Sequence, residues 1–180
     1  MDWLEEVQKK EKRKNQVLYT KDSPLFQGLR VLMEGQSRQV LVLWALDLAE
    51  ETVRDLEQRY PGEIRPRQAL EAARRWAEGT LKMPLARRAI LDCHALAKEL
   101  SSPGDIARCH AVGQACSVVH TPGHALGYPI YELTALVRDL GVENCRQAVE
   151  QRVEHYVDRL IFWQVHLPDN SRQWAGFLCR

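Results

Sequence analysis

From Val42 onward, apolar side chains return at every third or fourth position, at Val42, Leu46, Ala49, Val53, Leu56 and Tyr60. That period puts them on one face of an α-helix, which Ser37 starts as an N-cap and Pro61-Gly62 ends. The punctuation then repeats. Pro66 suits a first helical turn, where its missing N–H costs nothing, and the helix it opens is predicted to run to Glu78 and stop at Gly79. Met83-Pro84 opens the next, ending near Leu100. Ser102-Pro103-Gly104-Asp105 has the hydroxyl-to-carboxylate spacing of a capping box, and its helix closes at His120. Thr121-Pro122 repeats the arrangement for a helix ending at Gly141. Val149, Val153, Tyr156, Val157, Leu160 and Trp163 give an inward face to a long helix from about Val142 to His166. Pro168 ends it, and Asn170-Ser171 is the expected cap of a short terminal turn through Leu178.

Residues 2–14 are also predicted to be helical, but Lys9-Lys10-Glu11-Lys12-Arg13-Lys14 would face water all round. A solvated arm is the plain reading, with an electrostatic nucleic-acid arm as the alternative. Ser23-Pro24 through Gly35 reads as a connector, with Leu25, Phe26, Leu29, Val31 and Leu32 tucked against the body. No stretch alternates apolar and polar residues with a period of two, so no sheet is expected. The expectation is an all-α single domain of about six or seven antiparallel helices with short loops. Its parts are a charged helical arm and connector over 1–36, a helical core over 37–168, and a short helix or tail over 169–180.

The 180 residues suffice for one core and not comfortably for two. A formal net charge of +1 provides no global field towards nucleic acid or an anionic membrane. The longest apolar run, Val40 to Leu46, falls far short of the ~20 residues of a membrane helix. Asp2, Glu5 and Glu6 stand where an export signal would carry basic residues, so none is expected here. Cys93, Cys109, Cys116, Cys145 and Cys179 form an odd set without a C-x-x-C pair. Free thiols in a reducing cytoplasm account for them.

Candidate chemistry is concentrated in Cys93, His94, Cys109, His110, Cys116, His120 and His124. Cys116 and His120 have the spacing of one helix face, and His120 and His124 that of a two-histidine site. Pro122 between the histidines argues against one uninterrupted helix. The reading divides between a metal held by Cys116, His120 and His124 and imidazoles hydrogen-bonded at helix ends with the thiols in the core. His-Ala followed by an aliphatic residue recurs at His94, His110 and His124, where the alanine would let a neighbouring helix approach. Asp47 lies within an apolar stretch and needs a donor if it points inward. Arg65 and Arg67 are the nearest candidates for a structural clamp, and a polar pocket joining Asp47 to a histidine is the alternative. Trp44, Trp76 and Trp163 fall on helix faces as core residues. No nucleophile elbow, phosphate loop or dinucleotide turn occurs, so no catalytic residue is assigned.

Several segments resemble the immunity-five-like family of small bacterial helical immunity proteins. They are Trp44 to Glu50, the Arg65-Pro66-Arg67 helix start continuing to Trp76, Ala86-Arg87, His94-Ala95, and Ala115 through His120 leading to Gly123-His124-Ala125. Gln114 departs from the family pattern, where a histidine would follow the glycine, and so does Cys116, which replaces an aliphatic residue. The resemblance implies a non-catalytic protein that binds and blocks a bacterial toxin, with no cofactor. The alternative is a metal- or small-ligand-binding helical domain, or an enzyme, built on Asp47, His94, His120 and His124. Self-association is left open.

Overall fold

Each of these spacings is realised as helix. The computed structural model describes residues 2–169 and 171–180. In chain order the helices are α1 (Trp3–Lys12), α2 (Gln27–Glu34), α3 (Arg38–Arg59), α4 (Arg65–Ala77), α5 (Met83–Leu96), α6 (Pro103–Ser117), α7 (Gly127–Leu140) and α8 (Arg146–His166). Single 3-10 turns lie at Pro24–Phe26, Pro122–His124, Leu167–Asp169 and Gly176–Leu178. No strand occurs among the described residues.

The caps behave as their chemistry requires. Ser37 accepts the Val40 N–H at 3.2 Å, and Ser102 accepts the Asp105 N–H at 3.3 Å. Gly79 and Gly141 take φ of +79° and +80°, positive values that a residue without a Cβ adopts at no steric cost where a helix ends.

Eight helices among the described residues replace the expected six or seven. The additional one is α2, inside the segment read as connector, where Leu29 and Met33 are buried one turn apart. The helix expected from Thr121 begins only at Gly127, after a separate turn. The reason is Pro129. In a helix starting at Thr121 it would fall in the interior and break the hydrogen-bond ladder, whereas in the first turn of α7 its missing N–H has no consequence. The last long helix starts at Arg146, not Val142. The expected cap at Asn170 lies outside the described residues.

The N-terminal helix is not solvated on all sides. Lys9 and Glu11 to Lys14 are exposed, but Trp3 and Val7 are buried with Leu18, Tyr19 and Phe26 in the common core.

Helix α6 occupies the middle, touching α3, α4, α5 and α7. Its buried Gly104, Ala107, Ala111, Gly113 and Ala115 keep its surface thin enough for this. The recurrent His-Ala pairs serve the same end at Ala111 and Ala125, which are buried, but not at Ala95, which is exposed. Around α6 the core contains fully buried Trp44, Tyr128 and Tyr156. Trp44 donates its indole N–H to the Tyr156 carbonyl at 2.9 Å, so its burial leaves no donor unsatisfied.

Helix α3 carries two acidic stripes. Asp47, Glu51 and Asp55 recur every four residues, and they meet Arg159, the Arg152–His155 pair and Arg108 respectively. Glu50 and Glu57, on another face, meet Arg67 of α4. Since Asp47 meets the later part of α8 and Glu51 the earlier, these two helices run in opposite directions. No helix among the described residues is long and apolar enough to cross a membrane.

Candidate functional site

One face of α5 presents Met83, Arg87, Ile90, Leu91 and His94 at helical spacing. Opposite it, the end of α6 and the turn after it supply Ser117, His120, Thr121 and His124. Trp76 of α4 completes the lining. The cleft between them has a volume of about 330 Å³. Thus His94, His120 and His124, expected to matter from sequence, do line one space.

Each imidazole is held from behind. His120 stacks on Trp76 with ring centroids 5.9 Å apart and planes 21° from parallel, and its Nδ1 is 3.1 Å from the Thr121 hydroxyl. Trp76 is backed on another side by Phe177, at 6.2 Å. Arg38 clamps this corner by donating to the carbonyls of His120 and Phe177 at 3.0 and 3.1 Å. The terminal segment reaches Trp76 because the Ala175 N–H donates to the Ala77 carbonyl at 2.7 Å.

His124 Nδ1 lies 2.8 Å from Gln114 Oε1. An amide oxygen only accepts, so Nδ1 carries the proton. Gly127 makes room for this arrangement, since a Cβ there would collide with the Gln114 amide. His94 and His110 share a contact of 2.8 Å between their Nδ1 atoms, one donating and the other accepting, and His110 rests on Tyr131. His94 also lies directly over Gly113, where any Cβ would collide with its Nε2. Burial, reinforced by the charge His110 and His124 would carry, pushes the His94 imidazole down to about 4.

The remaining expected residues are elsewhere. Asp47 accepts from Arg159 Nε at 2.6 Å and from the Trp163 indole at 3.0 Å, and joins none of the histidines. The inward-facing carboxylate does have an arginine clamp, but its partner comes from α8, not from Arg65 or Arg67. Arg65 bridges Glu63 and Glu99, and Arg67 bridges Glu50 and Glu57. Burial would raise the Glu50 carboxyl, but Arg67 and Arg74 outweigh that and hold it down at about 2.

Cys116 is buried in the core, its thiol pushed up to about 12 by that burial, while His120 and His124 are exposed at the cleft. Helix α6 ends at Ser117, so Cys116 and His120 do not share a helical face. Among the described residues no three His, Cys, Asp or Glu side chains converge as a metal ion would need.

A second polar cluster was not anticipated. Arg152 joins Glu51 and Glu132, Tyr156 donates to Glu132, and the Tyr128 hydroxyl meets Thr52 at 2.8 Å. Arg108 beside it is surrounded by Asp55, Asp105 and Asp139. The available signal was the i, i+3, i+7 recurrence of Arg152, His155 and Arg159, which places two guanidinium groups and an imidazole on one side of α8. Nearly every charge here has an opposite partner, which gives the cluster the character of a structural lock.

Residues 31–159 match the family model described as Imm-5 like putative immunity protein. No curated protein and no solved structure matches the chain.

Proposed function

The chain belongs to the Imm-5 like immunity protein family, and from that membership we propose that it binds and neutralises a bacterial toxin in the cytoplasm without catalysing a reaction. We assign the contact to the α5 side of the histidine cleft. Exposed apolar groups support this choice. Met83 and Leu91 line the cleft at 42% and 51% exposure. Single exposed aliphatic residues are ordinary, but two at the edge of one cleft with an aromatic floor form a patch suited to a protein partner. Methionine and arginine are also residues that interfaces favour.

The test is co-expression with the toxin encoded beside this chain, combined with calorimetric titration of the purified pair. Replacing Leu91 with Asp should weaken the complex by about 30-fold, the equivalent of a central apolar anchor, with the melting temperature unchanged. Full-strength binding by Leu91→Asp and Met83→Asp together would remove the assignment of this face. Failure of the unaltered chain to bind or protect against that toxin would remove the role itself.

A further inference from the structure

No aspartate or glutamate lines the histidine cleft. That is unusual in a chain with 24 acidic and 25 basic residues, where carboxylates sit beside arginines along α3, α4, α6 and α8. Among the described residues Arg87 has no ion-pair or hydrogen-bond partner, although Arg88 next to it pairs with Asp92. The cleft therefore offers one uncompensated guanidinium.

The histidines add polar edges: with the His124 proton on Nδ1, its Nε2 accepts. His120 and His124 have their Nδ1 atoms engaged by Thr121 and Gln114, within the wall. Nε2 is the nitrogen each retains for a partner. The rest of the lining is Trp76, Met83, Ile90 and Leu91, with His94 and Ser117 beside them and Arg87 as its one guanidinium, so the favoured occupant is apolar in its body and anionic where it meets Arg87. A volume of about 330 Å³ is at the small end of ligand pockets and suits a short protruding segment, not a docked helix.

Resting on the toxin-binding reading, we infer that the cleft receives a peptide segment of the partner protein in which a bulky apolar side chain is flanked by carboxylates. The apolar group enters beside Trp76 and between Met83 and Leu91. A flanking carboxylate reaches Arg87, where a charge pair at a partly desolvated rim adds selectivity and speeds association. A basic or phosphate-free neutral segment gains nothing at Arg87, and a basic one is repelled.

Three short peptides test this by NMR of the full chain, following the ring signals of Trp76, His120 and His124: Gly-Glu-Phe-Glu-Gly, Gly-Lys-Phe-Lys-Gly and Gly-Glu-Ser-Glu-Gly. The first should bind at least about fivefold more tightly than either other peptide, and added salt should erode its advantage over the lysine peptide. Arg87→Glu should abolish the preference for glutamate over lysine, while Arg75→Glu, a charge change outside the lining, should leave it intact. Equal affinity of the three peptides, or shifts confined to other tryptophans, would overturn the inference. Concentration-dependent shifts without peptide, accompanied by dimer in sedimentation, would instead give the cleft to a second copy and also overturn it. The outcomes separate from those above: a chain that neutralises the toxin equally well with Arg87→Glu retains the role and loses this chemistry. Conversely, the peptide preference can hold in a chain that fails to neutralise.

Discussion

His94 is the residue whose surroundings most constrain its chemistry. It lies over the bare Cα of Gly113, touches His110 through nitrogen, and has its imidazole pushed down to about 4 from an ordinary value near 6.5. An unfolded chain would bind a proton there between those values, while the folded chain would not. Stability contributed by neutral His94 is thus full above pH 6.5 and is lost as the pH falls towards 4. The ring is only partly buried, so solvent screening reduces the effect to about 2 kcal/mol. Burial lowers His110 as well, adding in the same direction. Urea midpoints measured between pH 7.5 and 4.5 should fall, and His94→Gln should flatten most of that slope whatever it does to stability at pH 7.5. A slope identical in the variant would show that the His94 proton is not involved. Carboxylates such as Glu50, held at about 2, begin to add their own acid sensitivity below about pH 5, at the lower edge of this window.

At the scale of helices, α3 carries charge pairs, within itself and to α4, α6 and α8, whose burial differs sharply. The Arg152 side chain is 20% exposed and faces Glu51 and Glu132, whereas Arg54, 71% exposed, pairs with Glu50 one turn away. Removing one partner of a buried ion pair strands the other charge, at a cost of about 3 kcal/mol, but an exposed pair contributes under about 1 kcal/mol. Arg152→Met should therefore destabilise the protein far more than Arg54→Met in equilibrium denaturation. Adding Glu132→Gln should recover part of the Arg152→Met loss, and similar losses for both arginines would contradict this ordering. The helices holding these pairs were largely legible in the chain. The repeats at Val42, Leu46 and Val53, the serines at 37 and 102, and the glycines at 79 and 141 each act locally, and local signals survive in sequence. Pro129, and not Thr121-Pro122, marks the first turn of α7. The Asp47 partner was not legible, because Arg159 is 112 residues away and only packing of α8 on α3 brings them together. The histidine cleft stands between these cases. Its three rings could be named, but the missing carboxylates and the contributions of Trp76 and α5 emerge only when four segments meet.

The whole molecule raises a separate question about the segment before residue 31, where the family match begins. This segment is fastened to the far end of the chain. Trp3 packs on Tyr19, and Tyr19 on Phe26, with centroids 6.2 and 5.8 Å apart. Arg146 of α8 lies over the Trp3 ring at 5.4 Å and pairs with Asp2. The Leu18 N–H donates to Thr134 of α7 at 3.0 Å, and Arg138 donates to the Asn15 carbonyl at 2.8 Å. With Trp3 only 7% exposed, Trp3→Ala removes most of a buried indole and the seat of Arg146, at a cost of about 3 kcal/mol. If the segment unfolds with the rest, that cost appears as a lower midpoint in a single transition, detected alike by circular dichroism and tryptophan fluorescence. If it behaves as an appendage, the main midpoint stays fixed and only a minor early change in helicity is seen. Contacts reaching both α7 and α8 favour the single transition, because detaching the segment would expose Tyr19, Phe26 and the apolar surface they cover.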